Sequence, residues 1–399
     1  MLSSALPEQR DLFMVRAYYF AYVGGVGFIS PFLNLFYTSL GLSGKDIGTF
    51  GSIGGMVSML LAPYLVNEVR KSRHARRYVQ LSLVAGALAY TLIAQQSRYW
   101  PIAVIVFFQA LATVAISPLS DALAVRVTRA AGVGYGTVRV MGSLGWIFAV
   151  LASGWLVQQF GFKIGFYLTS LAYAAGALLL SFVRTENFTG WSAAGRPKTG
   201  LRMALRRVAG DRVLVGFALA LACINFFNSG VLQFENVYLS QLGANNAVIA
   251  VAGVMSAIVE LPSMVYSDRA VRRLTPQTAL QIALVMYVGL RLVVLAFPAV
   301  LTIMAMRFIT GTGFSLYTVA FVALIAGRTP QDETGAVLAL YSVTIAGLVN
   351  IVAAPISGAL FDALGARWLY VYAALGYALA FGALWLTRPK QPAGRGSGS

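Results

Sequence analysis

The sequence predicts an all-α integral membrane protein, with twelve transmembrane helices in two pseudo-symmetric six-helix bundles. Three observations carry that expectation. The composition is too apolar for water, twelve apolar runs have spanning length, and the basic residues fall on one side of the turns between them.

Hydrophobic residues make up 58% of the 399-residue chain and charged residues only 11%, whereas a soluble domain carries about 25% charged residues. So little charge cannot cover a water-exposed surface of this size, and lipid is the solvent that tolerates it. The 40 glycines suit helices that pack closely in lipid. A formal net charge of +17 raises nucleic acid as a partner. The basic residues lie in short turns rather than along one soluble face, so no nucleic acid is expected. Cys223 is the only cysteine and His74 the only histidine. That excludes an intramolecular disulfide and a cysteine- or histidine-based metal site, and no cofactor is expected. The charged start Glu8-Gln9-Arg10-Asp11 leads into an apolar run too long for a signal peptide, so none is expected.

A helix needs about 20 mainly apolar residues to cross the bilayer. Such runs fall near 13–38, 47–68, 78–96, 100–124, 137–158 and 164–184, then 213–240, 247–267, 276–297, 300–326, 335–360 and 367–387. Of the 30 Lys and Arg residues, 24 lie before the first span, after the last, or in every second turn. The opposite turns hold Lys45, Arg98, Lys163 and Arg367, and Arg291 and Arg307 lie inside spans. This asymmetry predicts cytoplasmic termini in a bacterial inner membrane. The basic stretch with Arg196, Lys198, Arg202, Arg206, Arg207 and Arg212 reads either as a surface helix on anionic lipid or as a solvated linker.

The boundaries follow: 1–190 as an N-terminal bundle, 191–212 as a cytoplasmic basic linker, 213–390 as a C-terminal bundle, and 391–399 as a disordered tail or expression scar. Three internal matches at an offset of about 200 residues support duplication. Leu40-Gly41-Leu42-Ser43 corresponds to Leu242-Gly243-Ala244-Asn245, Gly154 to Gly161 corresponds to Gly358 to Gly365, and Pro63 corresponds to Pro262. Duplicated halves place a site at mid-membrane between them, and rocking of one half on the other exposes it to each side in turn. Small residues in spans 5 and 11, such as Gly142, Gly145, Gly154, Gly347 and Gly358, suit a shallow, reversible seam.

Local patterns narrow the architecture. Tyr18-Tyr19-Phe20, Pro31-Phe32, Leu40-Gly41-Leu42-Ser43 and Ile47-Gly48 open the chain. Pro118, Asp121, Tyr135-Gly136-Thr137-Val138-Arg139, Gly142-Ser143 and Glu260-Leu261-Pro262 continue it. Together they resemble the major facilitator superfamily, and within it the phenylpropionate-transporter branch related to the nucleoside:proton symporters and lactose permease. The resemblance implies a transporter fold over nearly the whole chain. It departs in span 10, where Arg307 and Thr310 stand where the branch carries Gln and His, and in the turn after span 2, where Asn67 or Glu68 falls at the expected acidic position.

A charge at the centre of a membrane helix costs about 2.5–3.5 kcal/mol on insertion scales, so such residues should face the interior and pair or function. Glu260, midway along span 8, is the expected proton-coupling carboxylate, with Glu235 near the outer end of span 7 as a second proton group, an outer gate or a partner of Arg307. Arg307 and Tyr317 on span 10, Asn225 and Asn228 on span 7, Gln109 and Thr113 on span 4, and Tyr22 on span 1 are the expected substrate contacts. Asp121 and Arg139, at the cytoplasmic ends of spans 4 and 5, suit a gate, and Arg291 in span 9 a structural role. For each polar side chain the bland alternative is helix–helix glue worth about 0.6 kcal/mol. The expected protein is a secondary active transporter that moves a small organic solute (an aromatic acid, nucleoside or sugar) by alternating access with proton coupling. Glu260, Arg291 and Arg307 would let proton and anion share one site. The alternatives are a proton-independent facilitator, an exporter of amphipathic compounds, or a transporter-like solute sensor. No His-Glu metal pattern, nucleophile elbow or P-loop is present, so an enzyme is not expected. The expected partners are a small-molecule substrate, protons and membrane lipids, and the expected state is a monomer.

Overall fold

The computed structural model describes residues 7–72, 74–188 and 200–388. Arg196, Lys198 and the 391–399 tail lie outside the described residues. Twelve helical segments follow in order. They are α1 Pro7–Ser39, α2 Gly44–Lys71, α3 Ala75–Ile93, α4 Tyr99–Ala130, α5 Gly136–Phe160 and α6 Lys163–Phe182, then α7 Arg212–Gln241, α8 Asn246–Arg273, α9 Pro276–Ala296, α10 Val300–Ala326, α11 Gln331–Leu364 and α12 Ala366–Leu386. Ten of these are long and apolar enough to span a bilayer on their own. Helix α8 makes an eleventh as a bent pair, Asn246–Glu260 and Pro262–Arg273, inclined at 44°. Pro262 explains the bend, since it lacks an N–H and its ring clashes with the carbonyl four residues back. Helix α3, which opens with Arg76 and Arg77, completes the twelve. The basic linker contributes one short helix, Leu201–Ala209.

Three segments are less regular than their apolar runs suggest. Helix α1 narrows to a 3₁₀ turn at Val26–Phe28 and restarts at Leu33. Helix α4 breaks between Thr113 and Ile116, and α11 carries a π-turn at Leu340–Ile345. Such interruptions cluster at functional positions.

The repeat is written into the backbone. Gly41 and Gly243 adopt φ +76° and +92° in the turns after α1 and α7. Gly161 and Gly365 adopt +77° and +82° after α5 and α11. Only glycine takes that conformation without strain. Each of the first pair is followed two residues on by a helix cap. Ser43 forms a capping box with Asp46, and Asn245 accepts from Val248 N at 2.9 Å.

Twelve segments place both described chain ends on one face, here the terminal side, and the 40–43 and 242–245 turns on the other, the distal side. Three apolar cores locate the packing. One combines Phe36, Ile47 and Val150 with Val231, Phe234 and Ile249, so it belongs to both halves and sits distally. The other two lie toward the terminal side. One, with Leu12, Leu119 and Val138, is confined to the first half; the other, with Phe217, Leu280 and Tyr341, to the second. The halves are therefore joined distally and separate toward the terminal side.

Candidate functional site

Backbone contact between the halves defines the seam. A Cβ on Gly44 of α2 would meet the Gly358 carbonyl of α11, one on Gly48 would meet Ala354, and one on Gly154 of α5 would meet Ala250 of α8. Across the same seam Asp362 accepts from Gly44 N at 2.6 Å and from Lys45 N at 3.0 Å. Ser52 donates to Ile351 O at 2.6 Å, Asn34 to Gln233 O at 2.7 Å, and Asn236 to Pro31 O at 2.8 Å. The seam on α2 thus ends near Gly55, which would touch Ile351 at 3.6 Å. Beyond it, toward the terminal side, each half has its own core. A cleft opens there toward the terminal side.

Helical spacing fixes which residues face it. Arg139, Trp146 and Val150 lie at i, i+7 and i+11 on α5, hence on one face. Val150 touches Gly253 of α8, which would meet it at 3.6 Å. Arg139 and Trp146 therefore point at the opposite half where the two have parted. On α8, Gly253 and Glu260 share a face by the same spacing, opposite the exposed stripe of Val251, Ile258 and Val265. At 1.5 Å per residue Glu260 lies about 10 Å below the contact, between the depths of Trp146 and Arg139. Its carboxylate has no ion-pair partner among the described residues, while its backbone carbonyl accepts from Ser315 of α10 at 2.9 Å.

A cavity of about 250 Å³ lies on the first-half wall, lined by Tyr19, Tyr22, Ser117, Asp121, Arg139 and Trp146 among others. Asp121 is held by two phenols, Tyr19 at 2.7 Å and Tyr135 at 2.8 Å. It makes no ion pair with Arg139 within 4.0 Å. Tyr18 is tied to Ser120 at 2.7 Å. A second cavity, about 360 Å³, lies directly beneath the seam and includes Asn34, Gln109 and Gln233.

The second half buries its own charge network. Glu235 binds Arg307 Nε at 2.5 Å, faces Arg291 at 3.6 Å and accepts from Tyr370 at 2.9 Å. Arg307 also donates to Asn236 at 2.6 Å, and Arg291 to Asn228 at 3.1 Å. Arg291 sits 5.7 Å from the Tyr370 ring centre and 6.0 Å from that of Tyr377.

The expected residues are thus divided. Glu235 is paired with both Arg307 and Arg291. The shared centre of Glu260, Arg291 and Arg307 needs correction, because Glu235 holds both guanidinium groups and Glu260 stands elsewhere. Glu235 itself is held between Arg307 and Arg291. Asn228 is committed to Arg291, Asn225 folds back on Leu221 O at 2.8 Å, and Thr113 on Gln109 O at 2.8 Å. The Tyr317 hydroxyl is buried without a partner among the described residues. Tyr22 and Gln109 line the two cavities. Trp146, Tyr19, Asn34 and Gln233 were missed. The i, i+7 spacing from Arg139 was the available signal for Trp146.

The chain is thus a helical membrane protein of two six-helix halves joined distally. A family model described as the MFS_1 like family matches residues 12–372, and the chain belongs to that family, within the major facilitator superfamily. It is 30% identical over 261 residues to the maltose permease of Geobacillus stearothermophilus, covering 64% of each chain. It is 28% identical over 190 residues to the probable 3-phenylpropionic acid transporter of Escherichia coli K12, covering 44% of this chain and 48% of that one. Both matches span less than two thirds of those relatives. The crystal structure of nucleoside transporter NupG superposes with a TM-score of 0.77 at 14% identity, covering 97% of this chain and 100% of that one. Its low identity makes that a likeness of fold.

Proposed function

We propose that this protein is a secondary transporter of a neutral, hydroxyl-rich solute, a sugar. It carries the sugar by rocking one bundle (1–190) against the other (213–390), with Glu260 as the proton-coupling group. The basic terminal side faces the cytoplasm of a bacterial inner membrane, and the chain acts as a monomer. The observation that carries this reading is the cavity that Asp121, Arg139 and Trp146 line; Glu260 lies on α8, in the other half, at a depth between Trp146 and Arg139 by helical rise. An indole face packs against the C–H face of a sugar ring. A carboxylate accepts from its hydroxyls and a guanidinium donates to them. The charges of Asp121 and Arg139 offset one another in one cavity, which disfavours an aromatic acid. The two arginines that an acid would otherwise use are already tied to Glu235. The name of the Geobacillus relative supports the same class.

Coupling follows from Glu260 standing alone. An unpaired carboxylate in the cleft can take up a proton on one side and release it on the other without disturbing a salt bridge. The test is uptake into proteoliposomes, with glucose and maltose as probes and an imposed proton gradient. Wild-type protein should accumulate sugar. Glu260→Gln should lose accumulation and keep sugar exchange, and Arg139→Ala should lose both. Accumulation undiminished in Glu260→Gln removes the coupling role, and no flux of either sugar in wild type removes the substrate class.

A further inference from the structure

The linker helix Leu201–Ala209 takes no part in the cleft, and its surface is ordered in a specific way. It carries three arginines and no Asp or Glu. Successive residues turn by about 100° around a helix axis. Going round this one, Ala204 and Val208 come first, then Leu201 and Leu205, then Arg202 and Arg206, and last Met203 and Arg207. Ala204 and Val208 are buried, in the core that holds Val337 and Leu340 of α11. Leu201 and Leu205, beside them, are 55% and 50% exposed. Arg202 and Arg206 are exposed and form no ion pair with any described residue. Asp211 and Glu333 share a cavity with Arg206, but Asp211 is met by Arg328 at 3.0 Å and Glu333 by Arg207 at 3.9 Å.

The order around the helix is protein, apolar surface, cation, which is what a helix at the rim of a bundle needs where lipid begins. The depth is also right. Only Gly210 and Asp211 separate Ala209 from Arg212, where α7 begins. The helix therefore ends within about 11 Å of a spanning helix. The polar layer of a bilayer is about 5–7 Å deep on each side, so the helix is within its reach. Leucines there meet the upper acyl chains, and arginines meet headgroup phosphates while their stems stay apolar. Two uncommitted guanidinium groups favour an anionic headgroup over a zwitterionic one.

We infer that this helix is a docking surface for anionic phospholipid on the terminal side. Leu201 and Leu205 enter the acyl boundary, and Arg202 and Arg206 hold headgroup phosphates. The surface is separate from the cleft and its solute. It bears on the second half alone, because Arg207, on the opposite flank, donates to Arg328 O at 2.7 Å and faces Glu333 of α11 at 3.9 Å. Lipid gripped by the linker helix is thus gripped at the start of α11, the segment that carries the π-turn at Leu340–Ile345.

The experiment places a spin label at Leu205→Cys in the full chain, in a Cys223→Ser background. The protein is held in nanodiscs of phosphatidylcholine, with or without phosphatidylglycerol. Power saturation reads collisions of the label with oxygen, which concentrates in lipid, and with an uncharged nickel chelate, which stays in water. An arginine near an anionic surface contributes about a fivefold preference. With phosphatidylglycerol, collisions with the chelate should therefore fall about fivefold or more, while collisions with oxygen rise. Arg202→Gln with Arg206→Gln should abolish that difference, and Arg202→Lys with Arg206→Lys should keep it. A label open to the chelate in both lipids overturns the docking. A label sunk equally in both overturns the choice of an anionic lipid. A label shielded from chelate and oxygen alike marks a protein cover and overturns lipid as the occupant. A difference that survives the glutamine pair removes the two arginines from the surface.

Discussion

Asp362 should act as a latch across the seam, and Asp362→Asn should loosen the distal side. Helix α2 begins with backbone N–H groups that have no partner inside the helix. Ser43 satisfies that of Asp46, at 3.1 Å. Those of Gly44 and Lys45 are met by the two oxygens of Asp362, from the other half, at 2.6 and 3.0 Å. A carboxylate at a helix N-terminus also gains about 0.3–1 kcal/mol from the helix dipole. Asn keeps one acceptor and turns an amide N–H against the other backbone donor. Hydrogen bonds to charged groups are worth about 1.5–3 kcal/mol, and water replaces part of this when the seam parts, so a net loss of about 1–2 kcal/mol is expected. That shifts the ratio of closed to open distal states by about 5–30-fold. The assay is electron–electron double resonance between spin labels at Ser97→Cys and Phe297→Cys, both in distal turns, in a Cys223→Ser background. The Asp362→Asn variant should show a longer-distance population that the parent lacks. Asp46→Asn is the control, because Asp46 binds Ser43 N and Oγ at 3.1 and 2.7 Å within its own half. It should leave the distribution unchanged. Identical distributions for Asp362→Asn and its parent would refute the latch.

Three further outcomes follow from the same contacts. Glu235→Gln leaves Arg291 and Arg307 buried without their counter-ion, at a cost of about 3–5 kcal/mol; thermal unfolding in detergent should show a large loss, partly restored by adding Arg307→Met. Asp211 caps α7 through Val213 N at 2.8 Å and pairs with Arg328 at 3.0 Å. Burial opposes its charge, yet Arg328 and those N–H groups hold its pKa below the ordinary value. Its stabilisation is therefore present above the unfolded value of about 4 and is lost as pH falls through the lower folded value. Asp211→Ala should cost about 1–2 kcal/mol at pH 7, and that deficit should shrink below pH 4. Trp146→Ala should weaken sugar binding roughly tenfold while Trp146→Phe retains most of it, as measured by titration; equal affinity in both variants would remove the indole from the site.

Much of this architecture was legible because membrane solvation constrains the sequence so strongly. Apolar runs and turn glycines must appear wherever a helix crosses and reverses, so the spans and the Gly41/Gly243 and Gly161/Gly365 pairs could be read directly. The Glu235–Arg307 pair was legible for a related reason: a buried charge in lipid needs a partner at its own depth. The cleft was harder. Trp146 looks like any aromatic in an apolar run, and only its spacing to Arg139 and Val150, together with knowledge of what Val150 touches, shows that it faces the other half. Asp121 and Arg139 read as gate residues from their position near helix ends, without the phenols of Tyr19 and Tyr135 that occupy Asp121 instead. Asp362 and Gly44 are separated by 318 residues, and no local pattern announces that one helix is capped by another bundle. Breaks at Val26–Phe28 and Leu340–Ile345 occur inside apolar stretches whose hydropathy is indifferent to them.

The distribution of cores states what a change of access must break and what it must build. The distal core is common to both halves, and parting them there exposes residues such as Phe36, Val150, Val231 and Ile249 that are now buried together. That cost must be offset by burial at the terminal side. Where Gly44 and Gly48 of α2 meet Gly358 and Ala354 of α11 the contact is backbone against backbone, so that stretch parts without side chains to disentangle. Pro262 in α8 and the π-turn in α11 lie on the terminal side of the seam, where the two helices must change course for the second core to close. Glu260 sits at the α8 bend. Under the proposed proton coupling, a change in its charge would act at this bend, so position as well as chemistry would tie proton binding to the direction of access.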